Sequence, residues 1–389
     1  MSDPFVTPER VALRETVTGF MTSHVLPKLE EWERAGELPR ALHARAAELG
    51  LLGLAFPESV GGGGGDAVDA VVLCEQMHYV GGAGGLFAGL FTSGIALPHI
   101  VAAGDRAQIE RWVRPTINGE KIGSLAITEP DGGSDVGGLR TSAKRDGDEF
   151  VINGAKTYIT SGVRADFVVT AVRTADAGAH GISLIVVERG TPGFSVSRKL
   201  EKMGWLCSDT AELSFVDVRV PAANLVGAEN TGFIQIAQNF VSERIGLAVQ
   251  AYASAQRCLD LAVDWCRLRD TFGRPLISRQ AVQHTLAEMA RRVEVARVYA
   301  RQVAVAAAGN PADSAAAGNL ALQACFAKNS AVEAGMWVVD RALQLHGGMG
   351  YMREAEIERQ YRDMRILGIG GGTDEILTGL AAKLLGYTS

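Results

Sequence analysis

The spacing of apolar residues changes twice along the chain. Up to about residue 120, apolar side chains recur every three or four positions, which predicts amphipathic helices. The period then falls to two until about residue 230, as is typical of strands with one buried face, and the longer period returns afterwards. The pattern predicts an α+β protein with an N-terminal helical domain (1–120), a central antiparallel β domain (121–230) and a C-terminal four-helix bundle (231–389).

Individual elements can be assigned within these segments. Runs rich in β-branched residues predict strands, and Asp146-Gly147 and Asn153-Gly154 are dipeptides typical of hairpin turns. The predicted strands cover residues 123–128, 150–153, 156–160, 166–172 and 181–187. Helical spacing predicts N-terminal helices over residues 11–26, 38–49 and 67–79. Four long C-terminal helices are expected over residues 234–269, 279–308, 315–345 and 354–367.

Composition excludes several classes of function. The formal net charge is −6 and lysine and arginine are not clustered, so nucleic acid is not expected as a partner. Five cysteines without a C-x-x-C pair predict neither a disulfide framework nor a metal site. The first twenty residues lack the apolar core of a signal peptide, and no apolar run is expected to span a membrane. The sequence therefore predicts a cytoplasmic protein that does not bind membranes.

Two glycine-containing segments are candidates for binding chemistry. Residues 126–138 read AITEPDGGSDVGG, in which a predicted strand enters a turn through Gly133, Ser134 and Asp135. Glycines let a backbone approach a flat heterocycle closely, and free N–H and hydroxyl groups can then bond to it. The alternative is an ordinary Pro-Asp-Gly-Gly turn. In either case Glu129 and Asp131 are expected to be turn and cap groups rather than a second base.

The second segment, residues 344–363, reads QLHGGMGYMREAEIERQYRD. By itself it is compatible with a glycine-rich helix C-terminus followed by a charged helix surface. Both segments, however, resemble position by position the two signature sequences of the acyl-CoA dehydrogenases, and they occur in the matching predicted domains. The order of helical, β and helical domains is similar to that family over the whole chain.

The resemblance implies FAD held between the β domain and the C-terminal bundle, with a neighbouring subunit contributing. It places the Thr160 hydroxyl near flavin N5 and O4, and Tyr158, where most relatives have tryptophan, against the isoalloxazine ring. It assigns Arg269 to the FAD pyrophosphate. The positions that match FAD contacts are Leu125, Ile127, Thr128, Gly133, Ser134, Tyr158, Thr160, Arg269, Phe272, Gln344, Gly347, Gly348, Thr373 and Glu375. Ser134, Arg244 and Gly372 match substrate contacts.

The expected reaction needs a carboxylate base, and the usual position lacks one. Many relatives supply it from a Tyr-Glu-Gly-Thr loop, whereas this sequence has Gly370-Gly371-Gly372-Thr373. Glu243 is the candidate, because helical geometry places it on the apolar stripe of Phe240 and Leu247, and lone carboxylates are rarely buried without a partner or a purpose. The alternative is a structural ion pair across the bundle. Isovaleryl-CoA and long-chain members of the family carry the same Glu-Arg pair, here Glu243-Arg244, together with glycine at the position of Gly371.

The resemblance therefore implies an FAD-dependent acyl-CoA dehydrogenase that converts an acyl-CoA thioester to the trans-2-enoyl-CoA and passes electrons to an electron-transferring flavoprotein. Glu243 would remove the C2 proton, and the backbone N–H of Gly371 would bond to the thioester oxygen. Family habit implies a homotetramer. Two alternatives stay open: an oxygen-reactive relative, either an acyl-CoA oxidase or a flavin monooxygenase, and a catalytically idle flavin- or acyl-CoA-binding scaffold. If residues 243 and 371 face each other, moving the acid from one to the other should return part of the activity.

Overall fold

The computed structural model describes residues 3–309 and 314–387. Its N-terminal part is helical, as predicted. Helix starts carry the expected side-chain caps: the Thr7 hydroxyl accepts a bond from the Arg10 N–H at the start of α1, and Asp66 and Asp69 form a capping box at the start of α4. The helices are α1 (Pro8–Phe20), α2 (Leu29–Ala35), α3 (Arg40–Glu48), α4 (Ala67–Tyr79), α5 (Gly84–Leu90), α6 (Ser93–Ala103), α7 (Arg106–Gln108) and α8 (Arg114–Ile117).

The central part is one curled sheet in which most neighbouring strands are antiparallel. The strand order is β1-β4-β2-β3-β7-β6, with β5 along the other edge of β4. Strand β1 pairs with β4 in parallel. The strands are β1 (Gly123–Ala126), β2 (Ser142–Asp146), β3 (Glu149–Thr160), β4 (Phe167–Arg173), β5 (Ile182–Glu188), β6 (Phe194–Lys199) and β7 (Thr210–Pro221).

The C-terminal part is dominated by three long helices, against which the N-terminal helix α4 packs as a fourth. Val68, Val71 and Val72 of α4 belong to the same buried cluster as the bundle helices. The elements are α9 (Gly232–Leu268), a two-stranded ribbon of β8 (Asp270–Thr271) and β9 (Arg274–Pro275), α10 (Gln280–Ala308), α11 (Ser314–His346), α12 (Glu356–Met364) and α13 (Asp374–Leu384).

The fold class is thus confirmed, but some predicted elements are wrong in extent. The Asn153-Gly154 dipeptide does not form a hairpin; it lies inside β3 at a bulge, where a Cβ on Gly154 would come within 2.7 Å of the Thr141 Cα. The helix predicted over residues 354–367 is only the nine-residue α12, because Arg365–Gly368 tighten into a 3₁₀ turn before the glycine run. Strands β2, β6 and β7 and helix α13 were not among the individually predicted elements.

One apolar stretch is long enough to cross a membrane, contrary to the sequence expectation. Gly84–Ala103 spans 20 residues with a mean hydropathy of 1.7 over its most apolar window, and half of that window is buried. It consists of two helices, α5 and α6, that pack into two different apolar clusters of the protein. A core helix passes the same test of length and composition, so this stretch is weak evidence for a membrane span.

All three parts of the chain meet at the Asp363 side chain. This buried α12 carboxylate accepts hydrogen bonds from the Gly84 N–H of α5 (3.0 Å) and from the Trp205 N–H of the β domain (2.6 Å). Burial, together with the nearby Glu33 carboxylate, raises the pKa of Asp363 to about 6. The junction fixes the β domain and the bundle relative to the N-terminal helices.

A buried acid also ties α4 to the bundle. The Glu75 side chain is 0% exposed; it accepts bonds from Arg301 (2.7 and 2.8 Å) and from the Tyr252 hydroxyl (2.6 Å), and it pairs with Arg14 (3.3 Å). Glu75→Gln leaves two arginines without their counter-charge, which destabilises far more than losing an exposed pair.

We expect Glu75→Gln to lower the melting temperature by about 5 °C or more, measured by differential scanning fluorimetry. The matched control is Glu288→Gln, which removes the more exposed pairs with Arg291 and Arg292 on α10 and should shift the melting temperature by about 1 °C or less. Equal shifts in the two variants would contradict the interpretation.

Candidate active site

Glu243 lies where α9 passes from the β domain into the bundle core. One and two turns before it, Phe240 and Ile236 pack in the apolar cluster that contains Leu125 and Ile127. One turn after it, Leu247 belongs to the core of the bundle. The carboxylate therefore projects at the junction of the two domains, where the sequence predicted the reaction centre.

The Glu243 carboxylate has no partner of its own among the described residues. No hydrogen bond or ion pair between described groups includes it, so the alternative of a structural ion pair is not observed. The neighbouring Arg244 is 7% exposed and its guanidinium lies over the ring of Phe240, a residue of the same apolar stripe, at 5.8 Å. Its Nε has no hydrogen-bond partner among the described residues. The Glu243 side chain is surrounded by protein atoms, but part of its surface remains accessible.

This environment changes the acidity of the side chain. Burial raises the pKa of Glu243 to about 7, and the positive charges of Arg244 and Lys328 oppose that rise. A carboxyl group whose pKa lies near neutrality can both accept and release a proton under physiological conditions. The geometry and the pKa together give Glu243 the properties of a general base.

The glycine loop faces this carboxylate. A Cβ atom placed at Gly371 would lie 3.5 Å from Glu243 Oε1 and would clash with Leu247 Cδ1. Gly371 and Gly372 have φ angles of +66° and +95°, which favour glycine over any other residue. Among the described residues, no group accepts a hydrogen bond from the Gly371 N–H. That N–H is therefore available to a ligand at the carboxylate.

A buried lysine, which the sequence reasoning missed, holds the loop. Lys328 of α11 is 0% exposed and donates hydrogen bonds to the Gly372 carbonyl (3.0 Å) and to Asp374 Oδ1 (3.1 Å). Thr373 caps α13, because its hydroxyl accepts a bond from the Ile376 N–H. A lysine among Ala324, Ala327 and Ala331 on an otherwise apolar helix face was the available signal. Glu375, a predicted FAD contact, is exposed in the first turn of α13.

The predicted flavin positions of the β domain lie together at the ends of β1 and β3. The Thr157 N–H donates to the Thr128 carbonyl (2.9 Å), and the Ser124 hydroxyl donates to the Thr160 carbonyl (2.6 Å). These bonds join the end of β1 to the end of β3. Gly133 packs against Thr128 at the turn, where a Cβ would lie 3.3 Å from the threonine methyl group.

The polar groups of this surface are free to bind a cofactor. In the part of the chain that the structure describes, the hydroxyls of Thr128, Ser134 and Thr160 have no hydrogen-bond partner, nor does any group accept from the N–H of Gly133 or Ser134. Tyr158 is 70% exposed and sits at a β-bulge with a φ of +59°, a strained conformation for an aromatic residue. An exposed ring beside free hydroxyl and N–H groups fits the flat, polar-edged flavin.

A buried ion pair supports this surface. Lys156, which the sequence reasoning missed, donates to the Ile127 carbonyl (2.8 Å) and to Glu129 (2.9 Å). Glu129 also accepts bonds from the N–H groups of Arg140 (2.6 Å) and Thr141 (2.8 Å). Glu129 is therefore a structural group that closes the 129–141 loop, consistent with the sequence interpretation.

The remaining predicted FAD residues lie at the far end of α9. Arg269 follows the last turn of α9, about 40 Å from Glu243 at roughly 1.5 Å per residue. Stacking of Trp265 on His346, with ring centroids 5.2 Å apart, brings the end of α11 to the same place. Phe272, Gln344, Gly347 and Gly348 are exposed there, Phe272 to 97%. The predicted FAD residues of one chain therefore form two separate groups.

No cluster of three or more potential metal ligands occurs within residues 3–309 and 314–387. The chemistry of the site rests instead on an enclosed carboxylate, a free backbone N–H and a surface that fits a flavin. Such a combination is typical of flavin-dependent enzymes that remove a proton from carbon.

Comparison with known proteins identifies the family. Models of the acyl-CoA dehydrogenase N-terminal, middle and C-terminal domains match residues 7–120, 124–218 and 230–386. The chain therefore belongs to the acyl-CoA dehydrogenase family. The resemblance inferred from the two signature segments is confirmed.

Similar proteins cover nearly the whole chain. A long-chain specific acyl-CoA dehydrogenase from Rattus norvegicus is 39% identical over 96% of this chain and 86% of its own length. An acyl-CoA dehydrogenase from Bacillus subtilis is 37% identical over 98% of this chain and 100% of its own. The crystal structure of a protein described as an acyl-CoA dehydrogenase from Mycobacterium smegmatis superposes with a TM-score of 0.97 at 68% identity over 100% of both chains.

The expectation of an FAD cofactor is also confirmed at the level of the family. A glutaryl-CoA dehydrogenase from Mycobacterium smegmatis, 25% identical with a TM-score of 0.90 over 100% of this chain and 97% of its own, was solved in complex with FADH2. The roles of the individual residues, and the domain limits at 120 and 230, stay predictions.

The glycine loop gives a prediction about moving the base. Glu243→Gly combined with Gly371→Glu places the acid at the alternative position, but the new side chain meets Leu247 and has to adopt a left-handed backbone. We therefore expect the double variant to have less than about 1% of wild-type activity. Adding Leu247→Ala should raise that activity at least tenfold, measured as the rate of anaerobic flavin bleaching by an acyl-CoA.

The control for this series is Leu247→Ala alone, which retains Glu243 and should lose less than tenfold. A double variant as active as the triple variant would show that Leu247 does not obstruct residue 371.

Proposed function

We propose that this protein is an FAD-dependent acyl-CoA dehydrogenase that converts an acyl-CoA thioester to the trans-2-enoyl-CoA, with Glu243 as the base. The observation that carries the proposal is the Glu243 carboxylate. It is enclosed at the junction of the β domain and the bundle, and it has no partner among the described residues. It also lies close to Gly371, where a Cβ atom would be 3.5 Å from its Oε1. An unpaired enclosed acid is unfavourable for stability, which favours a functional role.

The residues that would hold the cofactor are those of the β-domain surface. Tyr158 offers its exposed ring, and the hydroxyls of Thr128, Ser134 and Thr160 and the N–H groups of Gly133 and Ser134 offer hydrogen bonds. Bound FAD supplies the acceptor for the hydride that leaves C3 of the substrate. The distant group at Arg269 and Phe272 would serve the FAD of a neighbouring subunit, in keeping with the proposed homotetramer.

The protein's own residues perform the proton step. Glu243, ionised, takes the C2 proton of the thioester, and that proton ends on its carboxyl oxygen. As the proton leaves, negative charge develops on the thioester oxygen. The Gly371 N–H, which no described group occupies, would donate a hydrogen bond to that oxygen and stabilise the charge. The arrangement restricts the reaction to substrates whose C2 lies between Glu243 and the flavin surface.

The proposed electron acceptor is an electron-transferring flavoprotein. A chain in a structure described as an electron-transferring flavoprotein of Acidaminococcus fermentans is 32% identical to this one, with a TM-score of 0.91, which supports a connection between the two activities. We propose a cytoplasmic location. Relatives named for long-chain and short-chain substrates are both similar to this chain, so a panel of CoA thioesters is the experiment that assigns the acyl group.

A reductase is a second candidate, favoured by one relative. An acryloyl-CoA reductase (NADH) from Anaerotignum propionicum is 35% identical over 95% of this chain and 93% of its own. The same groups can act in reverse, with protonated Glu243 donating to C2. Anaerobic incubation with an enoyl-CoA and NADH, followed by product analysis, separates the two: net saturated product without any other reductant would favour the reductase.

The oxygen-reactive alternatives require a different test. Enzyme and acyl-CoA are mixed in air without another acceptor, and peroxide and hydroxylated product are measured. A dehydrogenase should turn over slowly under these conditions, whereas rapid peroxide formation or substrate hydroxylation would favour an oxidase or a monooxygenase. The scaffold alternative predicts no flavin bleaching by any acyl-CoA.

The role of Glu243 gives the most direct mutational prediction. Glu243→Gln keeps the size of the side chain and removes its basicity, so we expect anaerobic flavin bleaching to slow by at least about 10³-fold while FAD remains bound. Stopped-flow absorbance measures the rate, and the flavin spectrum of the purified variant measures FAD content. Bleaching at the wild-type rate would remove Glu243 from the mechanism.

The pH dependence follows from the ionisation of the same group. Burial raises the pKa of Glu243 to about 7, and only the ionised form accepts a proton. The bleaching rate should therefore increase with pH, reach half its maximum near pH 7 and level off above it. A rate that is constant between pH 5 and pH 9 would contradict a base with this pKa.

A further inference from the structure

Lys328 is a buried cation that takes no part in the proposed proton transfer. Its side chain is 0% exposed, and lysine is almost never fully buried without a partner. The ammonium has two acceptors, the Gly372 carbonyl (3.0 Å) and Asp374 Oδ1 (3.1 Å). The Asp374 side chain is half exposed, whereas that of Lys328 is fully buried. Lys328 therefore does not form a fully buried ion pair, and its bond to the Gly372 carbonyl joins it to the glycine loop.

The loop needs such an anchor because of its composition. Residues 370–372 are three consecutive glycines, which lose more conformational freedom on ordering than any other residues. On the N-terminal side, the N–H groups of Ile369 and Gly370 both bond to the Ile366 carbonyl (2.9 and 2.8 Å). On the C-terminal side, the Lys328 bond fixes the Gly372 carbonyl. Gly371 lies between these two anchors, with its own N–H free.

The charge of Lys328 also reaches the base. Arg244 on α9 and Lys328 on α11 are the two cations that oppose the rise of the Glu243 pKa, and the charge of Arg244 also lowers the pKa of Lys328. Asp374 and Glu375, at the start of α13, partly compensate Lys328. Among the described residues, Arg244 and Lys328 act on Glu243 itself, whereas Asp374 and Glu375 act on Lys328.

We propose that Lys328 is a positioning residue of the active site, which fixes the Gly371–Gly372 loop opposite Glu243 and places a buried positive charge beside that carboxylate. The inference rests on the proposed function, since it assumes that Glu243 is the base. Lys328 itself does not touch the reacting carbon.

Two effects follow from the proposal. Without the charge of Lys328, the ionised form of Glu243 is less stable, so the midpoint of the Glu243 titration should move to higher pH by about one unit. This is the lower end of the effect of an opposite charge at close range. Without the bond to Gly372, the Gly371 N–H is no longer held in position, so the reaction should be slower even where Glu243 is fully ionised.

The test uses Lys328→Met, which retains the length of the side chain, and Lys328→Arg, which retains its charge. Infrared difference spectroscopy on the FAD-loaded proteins follows the carboxyl band that Glu243→Gln removes and gives the Glu243 midpoint without turnover. Lys328→Met should raise that midpoint by about one pH unit and Lys328→Arg by less than about a third of a unit. Lys383→Met, on the exposed surface of α13, is the matched control and should not move it.

Flavin bleaching at pH 9, where every variant is predominantly ionised, reports the loop alone. Lys328→Met should remain at least tenfold slower than wild type, and Lys328→Arg should recover to within about threefold. An unchanged midpoint in Lys328→Met would overturn the charge effect, and a wild-type rate at pH 9 would overturn the positioning effect. If Glu243→Gln itself bleaches normally, the proposed function fails instead, so the two failures are distinguishable.

Asp374→Asn provides an independent variant if Lys328→Met does not fold. It removes a half-exposed counter-charge and leaves Lys328 less compensated, so the Glu243 midpoint should move in the opposite direction, downward by a few tenths of a unit. An upward shift or no shift in Asp374→Asn would contradict the proposal.

Discussion

The central constraint in this structure is the placement of a carboxylate without a partner in an enclosed space. Moving an acid out of water is unfavourable unless hydrogen bonds or a counter-charge compensate for the lost solvation. Glu243 receives neither directly from the residues that the structure describes, and burial raises its pKa to about 7. The surrounding fold has to be stable enough to tolerate this group, and the group is useful because the fold prevents it from relaxing into an ion pair.

The long helix α9 links the parts that make this possible. Its first half packs against the β domain through Ile236 and Phe240, and its second half forms the centre of the bundle. Glu243 lies between the two, so one rigid element positions both the proposed proton acceptor and the proposed flavin surface. The glycine loop lies opposite the acid, and its backbone N–H can approach a substrate because no side chain intervenes. Two buried lysines, Lys156 and Lys328, each fix one of these backbone surfaces.

Much of this arrangement could be predicted from the sequence, because it depends on local pattern. Hydrophobic periodicity gives the domain order, and an acid on the apolar stripe of Phe240 and Leu247 indicates the proposed base. Contacts between distant segments could not be predicted in the same way. The strand bulge at Gly154, which resembles a hairpin turn in sequence, depends on the close approach of Thr141. Likewise, Lys328 becomes informative only when α11 is packed against the glycine loop, and the obstruction of residue 371 by Leu247 depends on a contact across two elements.

Exchange at the substrate carbon tests the central claim most directly, because it isolates the proton step from electron transfer. A 3-thia-acyl-CoA has sulfur in place of C3 and therefore has no hydride to give, but its C2 protons remain acidic. When it is incubated with the FAD-loaded protein in D₂O, it should incorporate deuterium at C2, and proton NMR measures this exchange. The Glu243→Gln variant should lose the exchange. Equal exchange in the wild type and in Glu243→Gln would contradict the assignment of this carboxylate as the proton acceptor.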